Sequence, residues 1–326
     1  MAAILTTAGC RSGCGAGGGG GGAASAELAL FPAETRIVVA VDAGRVRTTA
    51  LWKQLVHLAG DDAEDGRQIA ELTRRTGLDP FQQIHRVTAA FPEEARAGGA
   101  FAVVFEGQGF DEARLIEYAR DQARGRGQDL QRRAYRQRSL WSAGGAGAVS
   151  GFFLGRERFV LAGGGWAEKV IDRLEGEGGV KPAERASGNP TLVRLVERVA
   201  RGRAIWLAAI VPDETRRSLM ADPRFGVQAS IMRLGAGLDL APGLSGDLVA
   251  ELSNQADARA LVGRMDQFLV AARKSPKALL LGAGPYLDGI SVAAEGAEAR
   301  VKLALDAAQT AELVRRLGQL RAPQKR

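Results

Sequence analysis

Residues 290–320 read ISVAAEGAEARVKLALDAAQTAELVRRLGQL. Two short segments alternate apolar and polar residues across a tight turn, as half-buried strands do, and then the apolar period lengthens to that of a helix. The same order recurs upstream: GAVSGFFLGRERFVLAGGGWAEKVIDRL from Gly147, and, with longer turns, ASIMRLGAGLDLAPGLSGDLVAELSNQADARALVGRMDQFL from Ala229. The last two helices align without gaps, Ala256–Met265 against Ala308–Leu317, and share LVxR followed by Met or Leu. Hairpins followed by amphipathic helices predict an α+β fold, with antiparallel sheets, helices packed on one face, and two similar halves built from strand-strand-helix units.

The front of the chain fits the same class. Arg36–Asp42 is a Val- and Ile-rich strand, and Thr48 or Thr49 caps an amphipathic helix carrying Leu51, Trp52, Leu55, Val56 and Leu58. A second helix covers about Gly66–Thr76 and is closed by Gly77-Leu78-Asp79-Pro80. AFAVVFEGQGFDEARLIEYARDQA is a strand and a helix with Asp111 as N-cap. Between Glu175 and Pro190 the chain turns to Gly, Pro and charge, which predicts a linker at 179–189 between domains at 27–178 and 190–322, with 1–26 as a separate leader.

The chain has 326 residues, 46% apolar and 25% charged, enough for a substantial core. Aromatics are sparse, so aliphatic side chains and alanine must fill it. The net charge of +7 comes from arginine and attracts anionic surfaces weakly. No uninterrupted apolar run reaches the roughly 18 residues of a membrane-crossing helix. The only cysteines, Cys10 and Cys14, fall in the leader, which excludes a thiol nucleophile or a cysteine metal cluster in the body.

The leader contains LTTAGCRSGCGAGGGGGGAAS. Thr7-Ala8-Gly9-Cys10 resembles the lipobox of bacterial lipoproteins, in which small residues precede a cysteine that is lipidated and becomes the mature N-terminus. A complete signal needs a basic start and an apolar stretch of roughly 7–15 residues. Only nine residues precede Cys10 and none is basic, so this reading expects translation to begin further upstream. The alternative is a disordered cytoplasmic N-terminus with incidental cysteines. The run Gly17–Gly22 suits a flexible tether. By resemblance to Gram-negative lipoproteins, Arg11 after the cysteine favours the outer membrane.

Phe31-Pro32-Ala33-Glu34-Thr35, the strand Ile37–Asp42 and the pair Leu51-Trp52 together resemble a loosely defined group of uncharacterised bacterial exported proteins and lipoproteins. That resemblance implies an envelope location and a fold style, and no activity.

Few residues mark chemistry. RFVLAGGGWAEKV places Gly163–Gly165 between a strand and a helix, where backbone amides attract anions, but Glu168 stands where a dinucleotide fingerprint needs glycine and Lys169 lacks a following Ser or Thr. LGAGPYLDG, residues 281–289, reads as a loop. His57 and His85 lack metal-ligand spacing, and there is no GxSxG elbow. The strongest signal is RDQARGRGQDLQRRAYRQRSLW, with Arg120, Arg124, Arg126, Arg132, Arg133, Arg136 and Arg138 beside Tyr135 and Trp141. It is a candidate anion-binding stretch for a polymer or lipid headgroup; its other reading is a charged edge strand guarding against aggregation. These features point to a lipid-anchored envelope protein with a binding or structural role and no cofactor, metal or catalytic residue. The alternative is a cytoplasmic nucleotide- or nucleic-acid-binding protein using the Gly163–Gly165 turn or the Arg120–Arg138 stretch.

Overall fold

The computed structural model describes residues 26–53, 63–93, 99–145, 148–175, 181–222, 226–280 and 282–321. Cys10, Cys14, Gly17–Gly22 and His57 lie outside them. The fold is α+β, as the hairpin-and-helix pattern predicts, and its strands form one continuous antiparallel sheet of twelve. In chain order the strands are β1 (Ile37–Asp42), β2 (Ile84–Phe91), β3 (Phe101–Gly107), β4 (Leu130–Tyr135), β5 (Arg138–Ala143), β6 (Ser150–Phe153), β7 (Arg158–Gly163), β8 (Ile205–Ile210), β9 (Ile231–Asp239), β10 (Leu244–Leu252), β11 (Ile290–Glu295) and β12 (Glu298–Leu305). Across the sheet the order is β11-β12-β10-β9-β8-β1-β2-β3-β7-β6-β5-β4.

The principal helices are α1 (Ala63–Thr76), α2 (Glu112–Gly125), α3 (Trp166–Glu175), α4 (Pro190–Ala200), α5 (Asp213–Met220), α6 (Gln255–Lys274) and α7 (Ala307–Arg321). Their starts obey capping chemistry. Asp111 accepts from the Arg114 N–H, Asn189 from Thr191 and Leu192, and Asn254 from Asp257. Thr49 accepts from the Trp52 N–H, and a further short turn, Ala43–Arg47, is capped by Asp42. Residues 281–289, expected as a loop, contain the short helix Gly284–Asp288, with Pro285 in its first turn where no N–H is missed.

The halves meet where β1 pairs β8, Val38 against Ala208, Val39 against Leu207 and Ala40 against Trp206. A pseudo-twofold axis through the Val39–Leu207 pair relates them. Following the registers outward, Val87 on β2 corresponds to Leu234 on β9, so Ile84-His85-Arg86-Val87 matches Ile231-Met232-Arg233-Leu234. Arg86 lies opposite Glu106 on β3, and Arg233 opposite Glu251 on β10. Each half therefore carries the order strand, helical segment, two strands, helix, two strands, helix, with β4–β5 an added hairpin in the first. The repeat is the half-chain: by topology α6 corresponds to α2 and α7 to α3, so the α6–α7 similarity in sequence reflects a shared amphipathic pattern.

Helices cover both faces and not the single face that the hairpin-and-helix pattern predicts, because the central strands are apolar on both. One face, with Val38, Ala40, Ala90, Val104, Val160, Trp206 and Ala208, packs on α3 through Trp166, Val170 and Ile171 and on α4 through Leu192, Val196 and Val199. Leu28 and Phe31 join this core, and Ala186, fully buried, donates its N–H to Phe31 O. The described part of the expected linker, 181–189, is thus two packed 3-10 turns, Pro182–Glu184 and Ala186–Gly188, and segments 27–178 and 190–322 share this core. On the other face, α2 packs over Phe105 and Phe159, and α6 over Leu234, Ala250 and Ala299.

Helix α4 lies so close to β9 that glycine is required there: a Cβ on Gly235 would stand 2.6 Å from Val199 Cγ1 and 3.0 Å from Leu195 Cδ1. Gly235→Ala is expected to destabilise the protein by about 1–3 kcal/mol, read as a lower urea midpoint at unchanged m-value. An unchanged midpoint would mean that α4 yields freely.

Arg198 on α4 clamps Glu298 at the start of β12 with two contacts of 2.5 and 2.7 Å. The Arg198 hydrogen bond, with help from Arg300, pulls the Glu298 carboxyl from 4.5 down to about 2. A depressed carboxylate stabilises the fold above its unfolded pKa and loses that contribution as pH falls through the folded value. Glu298→Gln is expected to cost about 1 kcal/mol at neutral pH, allowing for solvent screening, and to flatten the stability–pH curve between about pH 5 and 2. Equal slopes in the two proteins would remove Glu298 from the account.

Candidate functional site

The arginine-rich stretch folds as the end of α2 and the β4–β5 hairpin, the latter at the outer edge of the sheet. Across the hairpin runs α3, and its acidic residues Glu168, Asp172 and Glu175, spaced four and three apart, line one helix face. Arg133 pairs with Glu168, Arg136 with Asp172 at 2.5 Å, and Arg138 with Glu175. Tyr135 donates its hydroxyl to both Asp172 oxygens at 3.0 and 3.1 Å. Burial, and then the Asp172 hydrogen bond and charge, push the Tyr135 phenol above its ordinary range. Arg132 stacks over Trp141 and donates to Ser139, while Arg124 has Asp121 at 3.8 Å. Arg120 and Arg126 have no carboxylate partner among the described residues. Three of the seven arginines therefore dock the hairpin on α3.

The Gly163–Gly165 turn has its own packing reason. A Cβ on Gly163 would meet the Phe101 ring at 2.7 Å, and one on Gly164, at φ +58°, would stand 2.6 Å from Ala100 Cα. Trp166, the first residue of α3, is buried. The turn is glycine-rich because the β3 entry strand passes directly beneath it. His85 lies on β2, where Nδ1 faces the Arg47 guanidinium at 2.5 Å and Nε2 is buried without a partner among the described residues. Among the described residues no group of three or more His, Cys, Asp or Glu side chains could hold a metal ion, and no helix is long and apolar enough to cross a membrane.

A feature of a different kind lies on the sheet face that carries α6. Val39, Leu207, Ala236, Leu248 and Val301 stand side by side on five neighbouring strands, and Ile205, Leu238, Gly246 and Leu303 form the next row. Together they floor an open trough of about 400 Å³. At one end α6 packs over Ala250 and Ala299; at the other, Val46, Leu51 and Trp52 pack over Ile205 and Leu238. Asp247, between Gly246 and Leu248 on β10, points to the opposite sheet face, where its carboxylate pairs with Arg203. At Gly246 a Cβ would come within 3.0 Å of Leu238 Cδ1, so glycine keeps the floor low. Chemically the trough offers apolar contact and shape, and its floor carries no side chain able to transfer a proton.

Reading the sequence for motifs missed these residues, because each strand contributes one or two and none is adjacent to the next. The signal that could have found them is the continuous apolar run in IVVAV and IWLAAI, residues 37–41 and 205–210, which marks strands with two apolar faces rather than one.

No family model matches the chain, and no curated protein is similar to it. Among solved structures, crystal form I of TP0453 is similar, with 11% sequence identity and a TM-score of 0.44 over 90% of this chain and 96% of that one.

Replacing Arg133, Arg136 and Arg138 together by Gln is expected to lower the urea midpoint slightly, because ion pairs at the surface contribute little. The salt needed to elute the protein from heparin should fall only as far as in a control that loses three arginines elsewhere, Arg194, Arg201 and Arg259. Elution earlier than that control at unchanged stability would make the hairpin a ligand surface rather than a docking seam.

Proposed function

We propose that the protein is a lipid-anchored component of the bacterial envelope, held through Cys10 at the outer membrane or its periplasmic side, whose body binds an apolar ligand without transforming it. The observation that carries the binding role is the trough over Val39, Leu207, Ala236, Leu248 and Val301: about 400 Å³, apolar, and bounded at both ends by packed helical segments. That volume falls within the roughly 300–1,000 Å³ of small-molecule sites. What supports the anchor is the small-residue run Thr7-Ala8-Gly9 before Cys10 and the glycine tether behind it. Two or three acyl chains hold such a protein stably on a membrane, whereas one does so marginally.

The glycines of the 163–165 turn are explained by Phe101 and Ala100, and no observation of the site favours nucleotide binding over this reading.

Expressed with its native upstream region in a bacterial host, the protein is expected to incorporate radiolabelled palmitate and sediment with membranes, and Cys10→Ala to abolish both while Cys14→Ala does not. Equal labelling of the two variants would refute the anchor. For the trough, binding of the apolar fluorophore aminoanthracene should weaken roughly tenfold, about 1.4 kcal/mol, in Ala236→Trp. Leu248→Gln, a milder change of the same floor, should weaken it in the same direction. Full binding by both folded variants would refute the trough.

A further inference from the structure

A second cavity, of about 330 Å³, opens on the same sheet face at the other end of the molecule. Ile116, Ala119 and Ala123 of α2 form one wall, and Trp141, Phe159 and Leu161 of the sheet form the other. Its lip is polar: Gln122, Arg126 and Gln128. We propose that this cavity binds a free single-chain fatty carboxylate, its alkyl chain between α2 and the sheet and its carboxylate on Arg126.

Charge complementarity argues for the anionic head. Arg133, Arg136 and Arg138 are matched by carboxylates of α3, and Arg132 is occupied with Trp141 and Ser139. Arg126 lines the cavity with no carboxylate partner among the described residues, so its guanidinium is available to the two oxygens of a carboxylate. The end of α2 would ordinarily oppose an anion, because the last carbonyls of a helix carry negative partial charge. Here two of those carbonyls are engaged: Ala123 O accepts from the N–H groups of Arg126 and Gln128, and Arg124 O from that of Gly127.

Apolar lining argues for the chain. Ala119, Ala123 and Gly151 keep both walls shallow, and a Cβ on Gly151 would already press on Phe159 Cζ at 3.0 Å. Val149, at the mouth, is 47% exposed, an apolar side chain left partly in water beside the opening. The volume lies at the low end of small-molecule sites, which fits one chain of medium length and not two.

The test is calorimetric titration of the full chain, expressed without export and so unacylated, with decanoate and with decanol. Decanoate is expected to bind more tightly than decanol. Arg126→Gln should weaken decanoate about threefold to tenfold and leave decanol unchanged. Ala119→Trp should abolish both, while Ala236→Trp, which fills the separate trough, should leave decanoate binding intact. Should Ala119→Trp fail to fold, Leu161→Gln reports on the same wall. No decanoate binding by the wild type, or no effect of Arg126→Gln, would overturn the proposal. Loss of binding in Ala236→Trp but not in Ala119→Trp would also overturn it, while leaving the trough's binding role standing. Flotation with phosphatidylglycerol vesicles that Arg126→Gln abolishes, without decanoate binding, would overturn it in favour of a chain still in a bilayer.

Discussion

Everything in this molecule depends on the antiparallel seam between β1 and β8. Without it, each half-sheet would expose an apolar strand edge in the middle of the protein, with Val38 and Ala40 or Trp206 and Ala208 losing half their surroundings. With it, the two edges satisfy each other's backbone groups, and α3, α4 and the segment around Leu28 and Phe31 close one core over the join. The pairing is self-complementary about Val39 and Leu207, the geometry expected when two copies of one surface meet about a twofold axis. The match of Ile84-His85-Arg86-Val87 with Ile231-Met232-Arg233-Leu234, and of Glu106 with Glu251, gives that symmetry a residue-level trace. The traces have diverged in use. Arg233 keeps its cross-strand partner Glu251, whereas Arg86 has turned to Glu27 and Asp42.

Sealing the inner edges leaves β11 and β4 as the outer ones. β4 carries Arg132 and Arg133, and charge on an edge strand discourages pairing with a second chain. The same hairpin turns through Arg136 at φ 50°, a left-handed conformation that residues other than Gly, Asn and Asp adopt rarely. Its guanidinium is held by Asp172, and the neighbouring Tyr135 by the same carboxylate, so contacts with α3 determine a turn that local preference would not choose. The arginine stretch is therefore best understood through α3, about 35 residues further along the chain.

That distance explains what could be read in advance. Strand alternation, the Asp111 cap and the closure at Gly77 are local chemistry, and they were readable. The docking of Arg133, Arg136 and Arg138 was not, since it requires knowing that α3 crosses β4–β5. The half-chain repeat was hidden too, because its trace is a few residues separated by segments of unequal length, while α6 and α7 share a more conspicuous but topologically unrelated match. The packed turns at 181–189 look like a linker in composition, with Gly, Pro and charge, and only the burial of Ala186 beside Phe31 makes them part of the core.

The trough itself follows from how the halves have diverged. Register makes Phe105, Phe159 and Phe153 in the first half equivalent to Ala250, Ala299 and Ala294 in the second. The three phenylalanines pack beneath one part of α2, Phe159 lying 6.1 Å from Phe105 and 4.7 Å from Phe153. Three alanines leave that thickness empty, and α6 settles directly on Ala250 and Ala299 at that end of the sheet. A rigid helix drawn down over one row of small residues cannot also cover the next rows, where Leu248, Val301 and Leu303 stand taller. Among the described residues, Trp52 and Leu51 close those rows from the opposite end. Aromatic residues thus serve as filler in one half, and their replacement by alanine in the other exposes an apolar floor without weakening the seam on which the sheet depends.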